Sequence, residues 1–157
     1  MWLATLACLL MSTPSAGLLD SIKVHEGFKD TAYQDTKGVW TIGYGTNLQT
    51  LKITEGRACE LLVERVIEAA AWSSKYPWLA SLDPARQDVI IEMIYNLGPT
   101  RFSKFKKLHA ACAAGDFETA ATEMVNSNWH SDVGIRAEHL EHQMRSGVRW
   151  NERGRSA

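Results

Sequence analysis

The sequence predicts an α+β fold: a small lobe of one helix and an antiparallel sheet, a long connecting helix, and an all-helical lobe. Three observations predict it. Residues 31–49 alternate short β-prone runs with glycine-rich turns. Residues 54–74 carry an apolar stripe at helical spacing with glutamates on the opposite side. From Pro84 onward, helical patterns follow one another with short breakers between them. The chain has 157 residues, a net charge of -1, 45% hydrophobic and 22% charged residues. Those proportions exclude a disordered or collagen-like chain. The near-zero charge offers no field for a polyanion, so a nucleic-acid binder is not expected.

Each element has its own reason. Residues 2–11 are apolar apart from Thr5, and residues 12–17 are small and polar. That pattern resembles the apolar region of a signal peptide, with Ser15-Ala16-Gly17 as a cleavage site. No Lys or Arg precedes Lys23, and the apolar run is too short for a stable membrane span. Export, a weak membrane tether, or a true start at Met11 are the alternatives for residues 1–17. The domain proper is therefore expected over 18–157. Residues 18–26 place Leu18, Leu19 and Ile22 at helical spacing, and Gly27 is a natural stop. Residues 32–34, 39–42 and 46–49 are expected as strands, separated by Asp35-Thr36-Lys37-Gly38 and Gly43-Tyr44-Gly45. The sheet lobe thus runs over about 18–53.

Thr54 caps the connecting helix, about 54–74, whose stripe is Ala58, Leu61, Leu62, Val66 and Ala69. At roughly 1.5 Å per residue it is about 30 Å long, enough to connect two lobes. Tyr76-Pro77-Trp78 breaks the pattern, and the helical lobe follows over about 75–157. Asp83-Pro84 opens a helix as cap and first residue. Val89, Ile90, Ile91, Met93, Ile94 and Leu97 leave it little polar face, so it belongs at the centre of that lobe. Further helices are expected near 103–113, 116–125 and 134–144, with Gly115 and Ser127-Asn128 between them. Of the cysteines Cys8, Cys59 and Cys112, the last two lie among apolar residues and are expected as buried free thiols.

Glu26, Asp35 and Thr41 carry the chemistry. Glu26 ends a helix, where the dipole favours a protonated carboxyl able to protonate a leaving group. Asp35 lies in a polar turn and is expected to stay ionised and activate water. Two carboxyls held in different states are the equipment of a glycoside hydrolase. Thr41 offers a hydroxyl to position the water. On spacing alone, a solvated helix-end Glu and a turn-forming Asp account for the pair more simply than catalysis does.

The surrounding residues add more. His25-Glu26-Gly27, Ala32-Tyr33-Gln34-Asp35 and Trp40-Thr41-Ile42-Gly43-Tyr44-Gly45-Thr46 closely resemble the phage-type lysozyme family, the muramidase endolysins of tailed bacteriophages (glycoside hydrolase family 24). The similarity continues through Ser81-Leu82-Asp83, Ser127-Asn128-Trp129, Arg136-Ala137 and the segment from Arg145 to Trp150. It implies a lysozyme-like fold and hydrolysis of the β-1,4 bond between N-acetylmuramic acid and N-acetylglucosamine. Glu26 would be the general acid, Asp35 the water-activating carboxylate and Thr41 the water-positioning residue. The resemblance also implies inversion of configuration, with a carboxyl separation that leaves room for a water. Arg136 matches an arginine that sits beside the acid in the T-even phage member, where it would oppose the dipole effect. Trp129 is the tryptophan expected nearest the cleft.

The resemblance further implies a peptidoglycan glycan strand as partner, no cofactor and no metal, and a monomer. It also implies synthesis in the host cytoplasm and action in the periplasm and cell wall. Two departures stand out. The T-even member has a helix between sheet and connecting helix, and here only Thr50-Leu51-Lys52-Ile53 separate Gln49 from Thr54. Thr46 also replaces a histidine. Outside the motifs, His139 and His142 lack a matched third metal ligand and are expected at the surface. Arg101, Lys104, Lys106 and Lys107 are expected as a solvated basic face. A glycan-binding module without catalysis, or a helical structural protein, are the competing classes. Intact Glu26, Asp35 and Thr41 argue against the first, and the lack of a concentrated basic face argues against a structural or DNA-binding role.

Overall fold

The computed structural model describes residues 15–150. The N-terminal expectations for residues 1–14, Cys8 among them, lie outside the described residues. Two compact units divide at Thr54/Glu55. The first holds α1 (Ala16–Glu26), β1 (Lys29–Gln34), β2 (Trp40–Gly43) and β3 (Thr46–Asn47). The second holds α2 (Glu55–Ser73), a 3-10 turn at Pro77–Ser81, α3 (Pro84–Leu97), α4 (Pro99–Phe102), α5 (Lys106–Ala114), α6 (Phe117–Val125), α7 (Asn128–Val133) and α8 (Ile135–Ser146).

In the first unit, α1 begins two residues earlier than its apolar spacing suggests. Ser15 is the cap: its hydroxyl accepts from Leu18 N at 3.2 Å, an orphan donor of the first turn. The strands form an antiparallel sheet in the order β1-β2-β3. Tyr33 faces Thr41, and Thr41 faces Asn47, so β2 is the central strand. The pairing of β1 and β2 shifts register between Lys29 and Tyr33. That irregularity lets β1 start at Lys29, ahead of the expected strand.

The second unit is built around α3. Asp83 caps it by accepting from Arg86 N at 3.0 Å, and Pro84 takes the first position, as expected. Val89, Ile90, Met93 and Ile94 are buried and pack with Phe102, Leu108, Met124 and Met144. Arg86 joins the two ends of the unit. Its guanidinium pairs with Asp83 and donates to Met144 O and Arg145 O, both at 2.7 Å, closing the last turn of α8.

Four expectations need correction here. Of the stripe expected on α2 only Ala69 is buried, with Ser73 outside it; Ala58, Leu61, Leu62 and Val66 are exposed. The C-terminal turns of α2 meet the α3 core, whereas Leu62 and Val66 line an open cavity of about 400 Å³ with Ile91 and Tyr95 of α3. Cys59, on the earlier turns of α2, is exposed rather than buried. Cys112 is buried, and burial pushes its thiol up to about 11, so it stays protonated. The pattern over 103–113 resolves into a turn over 103–105 and α5 from Lys106. Ser127-Asn128, expected as a spacer, opens α7: the Ser127 hydroxyl accepts from His130 N at 3.3 Å.

Candidate active site

Glu26 is the last residue of α1, and Gly27 closes the helix by donating its N–H to Lys23 O at 3.0 Å. The chain then turns through Phe28 into β1. Phe28 meets Tyr44, of the turn between β2 and β3, with ring centroids 5.3 Å apart. That contact brings the turn against the end of α1. The Glu26 carboxylate lies directly on Gly45: a Cβ there would come within 2.5 Å of Glu26 Oε2. Gly45 also has φ +75, a conformation that L side chains rarely adopt. The positive φ favours glycine at 45, and any side chain there would push the flexible Glu26 carboxylate aside; the spacing of a turn motif reveals only the first.

Asp35 occupies the hairpin between β1 and β2. Its Oδ1 accepts from Lys37 N at 2.8 Å and from Val39 N at 2.9 Å. Its own N–H donates to Val39 O at 3.0 Å. Both bonds to the carboxylate converge on Oδ1, so among the described residues Oδ2 has no protein donor. Thr41, on β2, is the one buried residue between 15 and 54, at 5% exposure. Its hydroxyl donates to Val39 O at 3.1 Å. The main chain of Val39 therefore holds both Asp35 and Thr41. A hydroxyl whose single proton is committed in this way presents only lone pairs to anything else. Nothing in the identity of residue 39 signals this role, because its main chain does the work.

Arg136 and Trp129 belong to the helical unit. Arg136, in the first turn of α8, donates through Nε to Glu92 Oε1 at 2.8 Å, and both side chains are about two-fifths exposed. Trp129 is 3% exposed and packed in the core, and its indole N–H donates to Asn96 Oδ1 at 2.8 Å. Glu92 and Asn96 were missed as partners. The signal was present: they interrupt an otherwise apolar run on α3 and sit four residues apart on one helix face. The structure thus brings Glu26, Asp35 and Thr41 into one unit, tied by Gly45 and Val39. Arg136 and Trp129 are fixed within the other unit by α3. His139 stacks on Trp150 at 3.7 Å between ring centroids, which accounts for it as a packing residue.

Two carboxyls held in different surroundings are residue types that glycosidases pair. The chain matches the Phage lysozyme family over residues 23–146, and it belongs to that family. It is 27% identical over 152 residues to "Probable T4-type lysozyme 2" of Dictyostelium discoideum, covering 78% of this chain and 89% of that protein. It is 26% identical to the "SAR-endolysin" of Escherichia phage N15, with 71% of each chain covered. It is 32% identical over 114 residues to an "Endolysin" of Acyrthosiphon pisum secondary endosymbiont phage 1, covering 66% of this chain and 72% of the relative.

Proposed function

We propose that this protein is an endolysin that hydrolyses the β-1,4 bond between N-acetylmuramic acid and N-acetylglucosamine in peptidoglycan, lysing the host cell to release phage progeny. The observation that carries this reading is the shared use of Val39 by Asp35 and Thr41 within 15 residues of Glu26. In the proposed reaction Glu26 protonates the departing glycosidic oxygen. Asp35 accepts a proton from the attacking water through its open Oδ2. The Thr41 oxygen accepts the second water hydrogen, because its own proton is committed to Val39. Water held by both hydrogens turns a lone pair toward the anomeric carbon. Direct attack of that kind inverts the configuration.

Arg136 stays in the proposed set as a cationic support, oriented by Glu92. Trp129, being buried, serves by holding Asn96 rather than by touching glycan. The proposed route is synthesis in the host cytoplasm and action in the periplasm and wall, by a monomer. In this reading residues 1–17 serve as an export signal or tether, and the alternative is a true start at Met11, with residues 1–10 outside the protein. Mass spectrometry of the native protein separates these: a start near Leu18 means processing, one at Met11 or Ser12 means a later start, and Met1 means retention. Among the described residues no helix is long and apolar enough to cross a membrane.

The central test is a turbidity assay on cells with exposed peptidoglycan, followed by NMR of the first product from a defined glycan. Lysis with an inverted anomer is expected. Absence of lysis by the folded wild-type protein overturns the function, and a retained anomer overturns the role of Asp35.

A further inference from the structure

The geometry points to a second glycan-binding site on the helical unit, centred on Trp72 and taking a carboxylate-bearing sugar of the wall polymer. It rests on the proposed peptidoglycan function and uses none of the residues proposed for catalysis. Trp72 lies in the last turn of α2, beside the buried Ser73, yet is 44% exposed. It forms one wall of a cavity of about 320 Å³ that also meets Lys75, Tyr76, Thr100 and Ser103. A second cavity of about 120 Å³, reaching Tyr95, shares the same indole. Ligand sites of about 300 Å³ and more are the usual size for small molecules.

Three features select the ligand. The Lys75 ammonium sits 3.4 Å from the Trp72 ring centroid. Among the described residues no carboxylate pairs with Lys75, so its charge is satisfied only by the ring and by solvent. A carboxylate entering the cavity gains that cation, and the ring Lys75 leaves becomes a flat platform for the C–H face of a pyranose. Tyr76 is rigid beneath them: its ring lies 4.6 Å from His109 and 5.5 Å from Phe102, centroid to centroid. Burial holds the Tyr76 phenol above its ordinary pKa, so it remains a hydrogen-bond donor. The hydroxyls of Thr100 and Ser103 complete a polar rim. One cation beside an aromatic wall and hydroxyls fits a sugar acid; a phosphate-rich ligand calls for several convergent cations or an arginine fork. In peptidoglycan the stem-peptide carboxylates supply the acid, and the lactyl carboxylate does so on muramic units that carry no stem. A second hold on an insoluble polymer raises the residence of the enzyme on it without a change in chemistry.

The experiment uses the full chain. In a Glu26→Gln background, which binds without cutting, co-sedimentation with insoluble peptidoglycan is compared for Trp72→Ala, Lys75→Gln and Trp72→Phe. The Ala and Gln variants should bind about tenfold more weakly, while Trp72→Phe keeps most of the affinity. With Glu26 intact, Trp72→Ala should clear insoluble wall more slowly yet hydrolyse a short soluble glycan at the wild-type rate. Titration with N-acetylmuramic acid should shift the Trp72 indole resonance, and N-acetylglucosamine, lacking the acid, should shift it less. Unchanged sedimentation of both variants overturns the site. So does equal loss on soluble glycan, which would make Trp72 part of the catalytic cleft or of fold stability. If the wild type cuts no peptidoglycan the proposed function fails, and the sedimentation and titration still decide the site.

Discussion

Between Ser15 and Thr54 a single residue, Thr41, is buried. The helical unit completely buries Phe102, Ile90, Met93, Leu108 and Met124. The two units are therefore held by different forces. The helical one rests on apolar burial, at roughly 25 cal/mol per Å². The sheet unit rests on directed polar contacts: Ser15 on the first turn of α1, Asp35 and Thr41 on Val39, and glycine where Glu26 must approach. The residues proposed for catalysis all sit in the unit with the smaller core. Hydrogen bonds fix side chains in angle as well as distance, which burial alone does not. Elements with few apolar contacts also open locally at low cost.

The strongest way to break this comparison is chemical. Glu26→Gln preserves shape and removes the acid. It should lower lytic activity by about 10²- to 10⁴-fold with an unchanged melting curve. Wild-type lysis by the folded variant would remove Glu26 from the mechanism. Next comes the contrast in core. Ile90→Ala, at a fully buried position, should cost about 2–5 kcal/mol in urea unfolding. Ile22→Ala, at a position 44% exposed, should cost less than about 1 kcal/mol. Equal costs would show that α1 is held by burial after all.

A sharper probe is Gly45→Ala. The new methyl meets the Glu26 carboxylate and a strained φ. Activity should fall about 10²-fold, because displaced reacting groups lose alignment, while stability falls by only about 1 kcal/mol. Parallel losses of both would reduce Gly45 to a folding residue. Truncation tests the start of α1. Removing residues 1–14 keeps the Ser15 cap; removing residues 1–17 deletes it. The shorter chain should be less stable by about 1 kcal/mol, read as a lower midpoint in thermal unfolding.

The smallest effect belongs to His109. Burial depresses its pKa, with Lys106 adding to the effect. Its Nε2 donates to Phe102 O at 3.1 Å, and Nδ1 is buried with no partner among the described residues. Above about pH 6.5 the imidazole is neutral in both folded and unfolded chains. As pH falls below that value, the unfolded chain takes up a proton that the folded one resists, so stability declines. His109→Phe should flatten the stability-versus-pH curve below about pH 6.5. A curve unchanged by that substitution would locate the acid sensitivity elsewhere.

Local chemistry made much of this molecule legible from the residue string. Asp83-Pro84 and Gly98 bound α3, and the run from Val89 to Leu97 identifies it as the core helix, because caps and periodicity act within a few residues. Glu26 at a helix end and Asp35 in a turn follow from equally local rules. Other features depended on what the folded chain brings together. Leu61, Leu62, Val66 and Cys59 carry a helical pattern, but whether a stripe is covered depends on a partner surface that periodicity does not specify. The Ser15 cap and α7 arise from short polar segments that suit a helix start or a linker equally well until the next N–H is in place. The grip of Val39 on Asp35 and Thr41, the seat of Glu26 on Gly45, and the pairing of Arg136 with Glu92 were decided by tertiary structure alone. Each joins groups through main-chain atoms or across elements, where residue identity at one position says nothing of the atom that will face it.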